Sequence, residues 1–319
     1  MPGPILNGIP RISFLGPLGT FCEAALRQVA PKDCELIPCS GVPAALEALR
    51  TGVSDRAVVP IENSVEGGVN ATLDSLAHGD PLTIVAEMVV PITFCLVTRA
   101  DSDIELGQIQ RIATHPHAWA QCHKWVLANI GDVTHLPATS TAGAAKALKE
   151  DVACGYDAAL CSKESADLYG LRILAQGVAD NPDAVTRFVL VSKPGSTPLP
   201  TGADKTTLQV TLPNNRAGAL LTMLEQFSAR GVNLSRIESR PAAAYFGNYS
   251  FSIDLEGHVA DERVQSALIG LHRTSPEVRF LGSYPKANGV PTRVDDETTD
   301  SAFRDARAWV GAVVAGYAT

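Results

Sequence analysis

Val185-Thr186-Arg187-Phe188-Val189-Leu190-Val191 sets a hydroxyl, a fixed cation and an aromatic ring at the front of an apolar, β-branched run. Such a run reads as a short buried strand. Its first residues emerge at the mouth of a sheet, where α/β proteins place ligands. In an isolated strand Thr186 would be an ordinary β-former and Arg187 an edge residue with a buried stem. Their meaning depends on the stretches that surround them.

Upstream, from Arg11, short apolar runs alternate with helical periodicity, which predicts a parallel α/β sheet. Ile12 to Leu15 reads as a strand, Gly16-Pro17-Leu18-Gly19-Thr20 as a tight loop, and Phe21 to Val29 as a helix capped by Thr20. Backbone N–H groups of such a loop suit a carboxylate. A helix over Val42 to Arg50, with Ser40 as capping candidate, precedes the strand Arg56 to Val59. That strand runs into Pro60-Ile61-Glu62-Asn63-Ser64, whose polar members are placed to line a cleft. Further strands are expected at Leu82 to Ala86 and at Val89 to Val97, the second crossing into another lobe.

The strand Arg111 to Thr114 ends in His115-Pro116-His117, with Gln121, Cys122 and His123 on the helix that follows. Pro116 and the helix geometry spread these side chains over different faces, and no second ligand cluster accompanies them, so a metal site is not expected. Thr139-Ser140-Thr141 caps the helix Ala142 to Glu150, whose positive end makes a second anion site. The strand Ala158 to Cys161, a helix to Tyr169 and a strand near Leu171 to Leu174 lead to the turn Asp180-Asn181-Pro182-Asp183, which delivers the chain to Thr186. One lobe, a crossing, a second lobe and a late return make a two-lobed binding plan with its site in the cleft.

Downstream, Lys193-Pro194-Gly195-Ser196-Thr197-Pro198-Leu199-Pro200 has the composition of a linker. Beyond it come strand Thr206 to Leu212, helix Arg216 to Arg230, strands Asn233 to Ser239 and Tyr245 to Leu255, helix Asp261 to Leu271 and strand Val278 to Leu281. That βαββαβ order is the ferredoxin-like plan, an α+β domain. The tail is polar until Ser301, and Ala302 to Val314 fits a terminal helix.

A chain of 319 residues with 45% hydrophobic and 19% charged residues has material for two well-filled cores. Its net charge of −8 argues against nucleic acid, which demands a basic face. Seven cysteines form an odd set without a Cys-x-x-Cys pair, which fits reduced thiols in the cytoplasm. The first residues lack the basic and apolar regions of a signal peptide. No apolar run approaches the ~18 residues of a membrane span. No dinucleotide or phosphate-loop motif implies a cofactor.

Gly16-Pro-Leu-Gly-Thr-Phe21, Pro60-Ile-Glu-Asn-Ser64, Thr114-His-Pro116 with Gln121, Ser140-Thr-Ala142, Thr186-Arg-Phe188 and Glu238-Ser-Arg-Pro241 occur in that order. In this the chain to about Tyr284 resembles the prephenate dehydratases fused to an ACT regulatory domain. The resemblance implies a two-lobed, periplasmic-binding-protein-like α/β catalytic domain over 9–192. It also implies a linker over 193–204, a ferredoxin-like ACT domain over 205–283, and a tail over 284–319. The implied reaction is decarboxylation of prephenate with loss of its ring hydroxyl, giving phenylpyruvate for L-phenylalanine biosynthesis, without metal or organic cofactor. Hydroxide leaves poorly, so a donor must protonate or hydrogen-bond it. The family's threonine in that role corresponds to Thr186, with Glu62, Asn63, Thr114 and Gln121 as candidates to relay or polarise its proton.

The substrate's two carboxylates suit the helix starts at Thr20 and at Ser140-Thr141, with Ser64 in the same cleft. Arg187 serves as an anion clamp or a structural ion pair, and Phe188 as an apolar wall. The family's effector, L-phenylalanine, lies between segments that correspond to Gly218-Ala219-Leu220 and Glu238-Ser239-Arg240, in a homo-oligomer, a dimer or tetramer. Departures are Thr114 where serine is common, Cys22 near a usual serine, and Ala217 in place of a proline. Two alternatives are an arogenate dehydratase, acting on the aminated substrate, and a non-catalytic sensor closing on an amino or keto acid.

Overall fold

The computed structural model describes residues 9–195, 197–212, 217–241 and 249–317. By contacts the chain forms two compact units. The first runs to Ser75 and resumes over Met88–Leu190; the second holds Leu76–Glu87 and the chain from Val191 onward.

The chain opens with β1 (Arg11–Leu15), α1 (Phe21–Val29), β2 (Glu35–Cys39), α2 (Val42–Thr51), β3 (Arg56–Asn63), the two-residue β4 (Gly67–Gly68), α3 (Asn70–Ala77) and β5 (Thr83–Pro91). It then makes β6 (Cys95–Thr98), β7 (Arg111–Thr114), α4 (Pro116–Asn129), β8 (Thr134–Pro137), α5 (Thr141–Glu150), β9 (Ala158–Cys161), α6 (Lys163–Tyr169) and β10 (Arg172–Gln176), and returns as β11 (Val185–Ser192). One sheet has the order β2-β1-β3-β11-β5, with β4 paired to β3. The other has the order β10-β6-β9-β7-β8.

Neither sheet is wholly parallel. β2 and β3 flank β1 in parallel, as β8 and β9 flank β7. β6, however, is antiparallel to both β9 and β10. In the first sheet the start of β11 meets the ends of its neighbours, with Ser64 N–H donating to Val185 O (2.9 Å) and Ile92 N–H to Ala184 O (2.8 Å). β11 therefore runs against both. The path makes it so: the first strand after each passage between the sheets, β6 into the second and β11 back into the first, enters from the opposite end.

The sequence predicts strands at Leu82 to Ala86 and Val89 to Val97. The chain instead runs one strand through Glu87 and breaks at Ile92-Thr93-Phe94. Glu87 does not interrupt the strand because its carboxylate is paired with Lys205 at 2.8 Å and only 9% of the residue is exposed. Gly41, with Pro43 in the first turn, starts α2 in place of Ser40.

The second unit continues with β12 (Asp204–Thr211), α7 (Ala219–Ser228), β13 (Leu234–Pro241), β14 (Tyr249–Glu256), α8 (Glu262–Thr274), β15 (Glu277–Pro285) and α9 (Asp300–Val314). Its sheet has the order β13-β14-β12-β15, antiparallel throughout. Leu208, Val210, Met223, Phe227, Ile253, Val264 and Leu271 fill the core beneath α7 and α8. Arg216, where the helix is expected to start, and Tyr245, where a strand is, lie outside the described residues. Among the described residues no helix is long and apolar enough to cross a membrane.

Candidate active site

The first unit brings the polar ends of β3 and β11 together. Beyond the bond already given, Val185 N–H donates to Ser64 Oγ (3.0 Å), so Ser64 fixes strand register rather than pointing freely into the cleft. Side chains alternate along a strand, so Thr186 and Phe188 share one face and Arg187 takes the other. On the Arg187 side its Nε donates to Glu62 Oε2 at 3.1 Å, with the arginine side chain only 9% exposed. The ion pair expected of Arg187 is thus present, with Glu62 as its partner.

On the Thr186 side, Asn63 Oδ1 accepts from Val65 N–H (2.8 Å) and Glu66 N–H (3.2 Å). Those two donors fix the amide's orientation, so Nδ2 points the other way and donates to Thr186 Oγ1 at 2.8 Å. Thr186 is 7% exposed and accepts in this bond. Its own proton is therefore directed elsewhere, and an amide pulling on the oxygen makes that proton a better donor. Phe188, on the same face of the strand, is 3% exposed.

The second sheet contributes the end of β7 and the start of α4. Thr114, fully buried, donates its hydroxyl to Leu160 O at 2.8 Å, so its proton is committed to the backbone and cannot also serve the leaving group. His115 caps α4, Nδ1 accepting from His117 N–H (3.3 Å). Gln121, 9% exposed, has its Oε1 buried with no hydrogen-bond partner among the described residues.

The two sheets are tied together by residues to which the sequence reading gives no such role. His117 Nδ1 lies 2.7 Å from Glu66 Oε2. Gly19 O accepts from Ser162 Oγ (3.0 Å) and Ser165 Oγ (2.7 Å). The only prior signal for the first tie is the His-x-His spacing, which draws attention as a metal motif instead. Cys22 donates to Val58 O (3.2 Å), and burial pushes its thiol up to about 12, so it is no nucleophile.

At the helix starts the outcome is mixed. Thr20 caps α1 as expected, accepting from Glu23 N–H (3.3 Å), yet Gly19 N–H already donates to Glu23 Oε2 (2.8 Å). The chain thus supplies one carboxylate to this loop itself. Ser140 caps α5, accepting from Gly143 N–H (2.9 Å), while Thr141 is the first helical residue rather than part of the cap.

In the second unit Gly218, at φ 82°, precedes α7 without a side-chain cap; Ala219 is buried and Leu220 is 41% exposed. On β13, Ser239 and Arg240 pair in register with Phe251 and Ser250. Glu238 sits 3.3 Å from Arg236, which also binds Asp254 at 2.9 Å.

Comparison with known proteins places this arrangement. The family profile described as prephenate dehydratase matches residues 12–196. A prephenate dehydratase of Amycolatopsis methanolica is 45% identical over 96% of this chain and 98% of its own. A solved structure of prephenate dehydratase in complex with L-Phe from Arthrobacter aurescens superposes with a TM-score of 0.89 at 54% identity, over 95% of this chain and 99% of the other. A structure of GqqA, described as a novel type of quorum quenching acylase, is 32% identical with a TM-score of 0.75, over 86% of this chain and 97% of the other. A profile that spans β1 to the end of β11, and a relative matched almost end to end, show that the chain belongs to the prephenate dehydratase family.

Proposed function

We propose that the cleft lined by Asn63, Gln121 and Thr186 carries the family's conversion of prephenate to phenylpyruvate. In this reading Thr186 is the donor to the departing ring hydroxyl. As the ring carboxylate leaves as carbon dioxide, its bonding pair moves into the ring, the ring aromatises, and the C–O bond breaks. The hydroxyl departs as water with a proton given or shared by Thr186 and replaced from solvent. Such general-acid help is worth roughly 10² to 10⁴ in rate.

The single observation that carries this reading is the Asn63-to-Thr186 hydrogen bond at 2.8 Å, which leaves the threonine proton free. Gln121, with its unpartnered buried oxygen, fits an acceptor for the substrate's own hydroxyl hydrogen. The α5 start at Ser140-Thr141 suits one carboxylate; Thr20 at the α1 start suits the other, in competition with Glu23. The test is turnover of prephenate, with arogenate as control, by the parent and by Thr186→Ala and Thr186→Ser. A Thr186→Ala enzyme with normal turnover would remove Thr186 from this role; partial activity in Thr186→Ser supports it.

We read the βαββαβ sheet of the second unit as an ACT domain that binds L-phenylalanine near Gly218-Ala219-Leu220 and Glu238-Ser239-Arg240 of adjacent copies, in a dimer or tetramer. The uncapped start of α7 favours the effector's carboxylate, and exposed Leu220 its ring. Among the described residues β13 is the last strand on its side of the sheet, an edge suited to pairing. The measurement is prephenate turnover against L-phenylalanine for the full chain and for Leu220→Asp. Inhibition that the variant loses supports the site; identical inhibition curves rule it out.

A further inference from the structure

We propose that His117 and Glu66 are positioning residues of the reaction, and that their contact holds Gln121 in register with Asn63 and Thr186. This inference rests on the reading above, in which Thr186 gives a hydrogen to the departing hydroxyl and Gln121 accepts one from it.

The two halves of that site come from different sheets of the first unit. Asn63 and Thr186 stand on β3 and β11, whereas Gln121 stands on α4, which follows β7 of the other sheet. A donor and an acceptor that serve one hydroxyl must keep their spacing, since a misplacement of about 1 Å can cost a factor of 10² in rate. The distance between the end of β3 and the start of α4 therefore bears on turnover. Across it, His117 Nδ1 lies 2.7 Å from Glu66 Oε2. An ionised carboxylate only accepts, so the imidazole nitrogen carries the hydrogen and donates it.

Each end of this bond is one step from a residue of the site. Glu66 N–H donates to Asn63 Oδ1 (3.2 Å), the oxygen whose bonds turn Nδ2 toward Thr186. The pairing of Glu62 with Gly68 and of Asn63 with Gly67 closes the turn around it. On the other side His117 precedes Gln121 by four residues, so the two are neighbours on one face of α4. His117 is itself fixed: its N–H donates to His115 Nδ1 (3.3 Å), and the two rings meet edge to face with centroids 4.8 Å apart. An exposed ion pair adds little to stability. With side chains 66% and 34% exposed, this pair contributes little to folding, while its anchored ends let it fix a distance.

The experiment measures kcat and KM for prephenate, and the melting temperature, in the full chain. The variants are His117→Ala, Glu66→Ala, the two together, and Glu66→Gln. Each alanine variant should lower kcat about tenfold, a part of the geometric factor above. KM should stay within about threefold of the parent's, because the helix starts proposed for the carboxylates are untouched. The melting temperature should fall by no more than about 4 °C, the scale of a surface pair in a chain of this size. The double variant should be no slower than either single one, since residues that act through one contact do not add. Glu66→Gln keeps an oxygen for the His117 hydrogen and should retain most of kcat. Unchanged kcat in both alanine variants, a loss confined to KM, or a double variant slowed about a hundredfold overturns the positioning pair. A Thr186→Ala enzyme with normal turnover overturns the donor reading instead, and the His117 and Glu66 variants then decide the pair alone.

Discussion

Two buried threonines end two strands, Thr186 at the start of β11 and Thr114 at the end of β7, and both carry a hydroxyl bonded at 2.8 Å. At Thr186 the partner is an amide that donates, so the hydroxyl accepts and its proton is free. At Thr114 the partner is a carbonyl, so the hydroxyl donates and its proton is committed. The residue type and the bond length are alike; the polarity of the partner separates a candidate acid from a structural tie. Thr186→Ala should therefore lower kcat by roughly 10² to 10⁴ with the melting temperature little changed. Thr114→Val should do the reverse, leaving kcat close to the parent's and costing about 0.5 to 1.5 kcal/mol of stability through the lost hydroxyl bond to Leu160 O. Equal losses of kcat in the two variants would erase the distinction.

Asn63→Asp sharpens the same comparison without touching a threonine. An aspartate still accepts from Val65 and Glu66 N–H, so the turn survives, but it presents an acceptor to Thr186 where the amide presented a donor. Thr186 would then donate into the carboxylate, as Thr114 does into Leu160 O. A fall in kcat on the order of 10² is expected, the lower end of the general-acid range. Retained turnover would mean that the Asn63 amide does not set the direction of the Thr186 proton.

How much of this was legible beforehand follows from what a local pattern can hold. The apolar run of β11, the cap at Thr20 and the terminal helix, which begins at Asp300 rather than Ala302, are local facts and can be read directly. β2 is obscured by Pro38 and by a half-exposed pattern, and α3 by its shortness and polar start; β8 has only four residues. Glu87 looks like a break in an apolar run, because the lysine that neutralises it lies at 205. Glu62, Asn63, Thr114, Gln121 and Thr186 can be named from the sequence only as candidates for the site. Which hydroxyl gives and which receives cannot, since Asn63 and Thr186 stand 123 positions apart.

The Thr114 type of bond recurs where the two sheets meet, at Ser162 and Ser165, whose hydroxyls both donate to Gly19 O. Gly19 sits at φ 84°, and a Cβ there would come 2.9 Å from Ser165 Oγ. Gly19→Ala should therefore cost about 1 to 3 kcal/mol, from left-handed backbone and lost packing together. Thermal unfolding measures it, and a variant as stable as the parent would show that these hydroxyls do not hold the loop.

The smallest expected effect lies next to Thr114, at His115, and it tests whether the end of β7 is structural throughout. Burial holds the His115 imidazole below its usual value of 6.5, with His117 and His135 adding to the shift and Glu66 opposing it. Its Nδ1 accepts from His117 N–H as the cap of α4, a role open only to the unprotonated nitrogen. With a folded value below the unfolded one, the cap contributes fully above the ordinary histidine range and is lost as pH falls through the lowered value. The parent should therefore lose melting temperature between about pH 7 and about pH 5. His115→Asn keeps a capping oxygen that does not titrate there, so its melting temperature should fall less over the same interval. Parallel curves for parent and variant would show that His115 does not cap α4 through a neutral ring, and the structural reading of this strand end would fail.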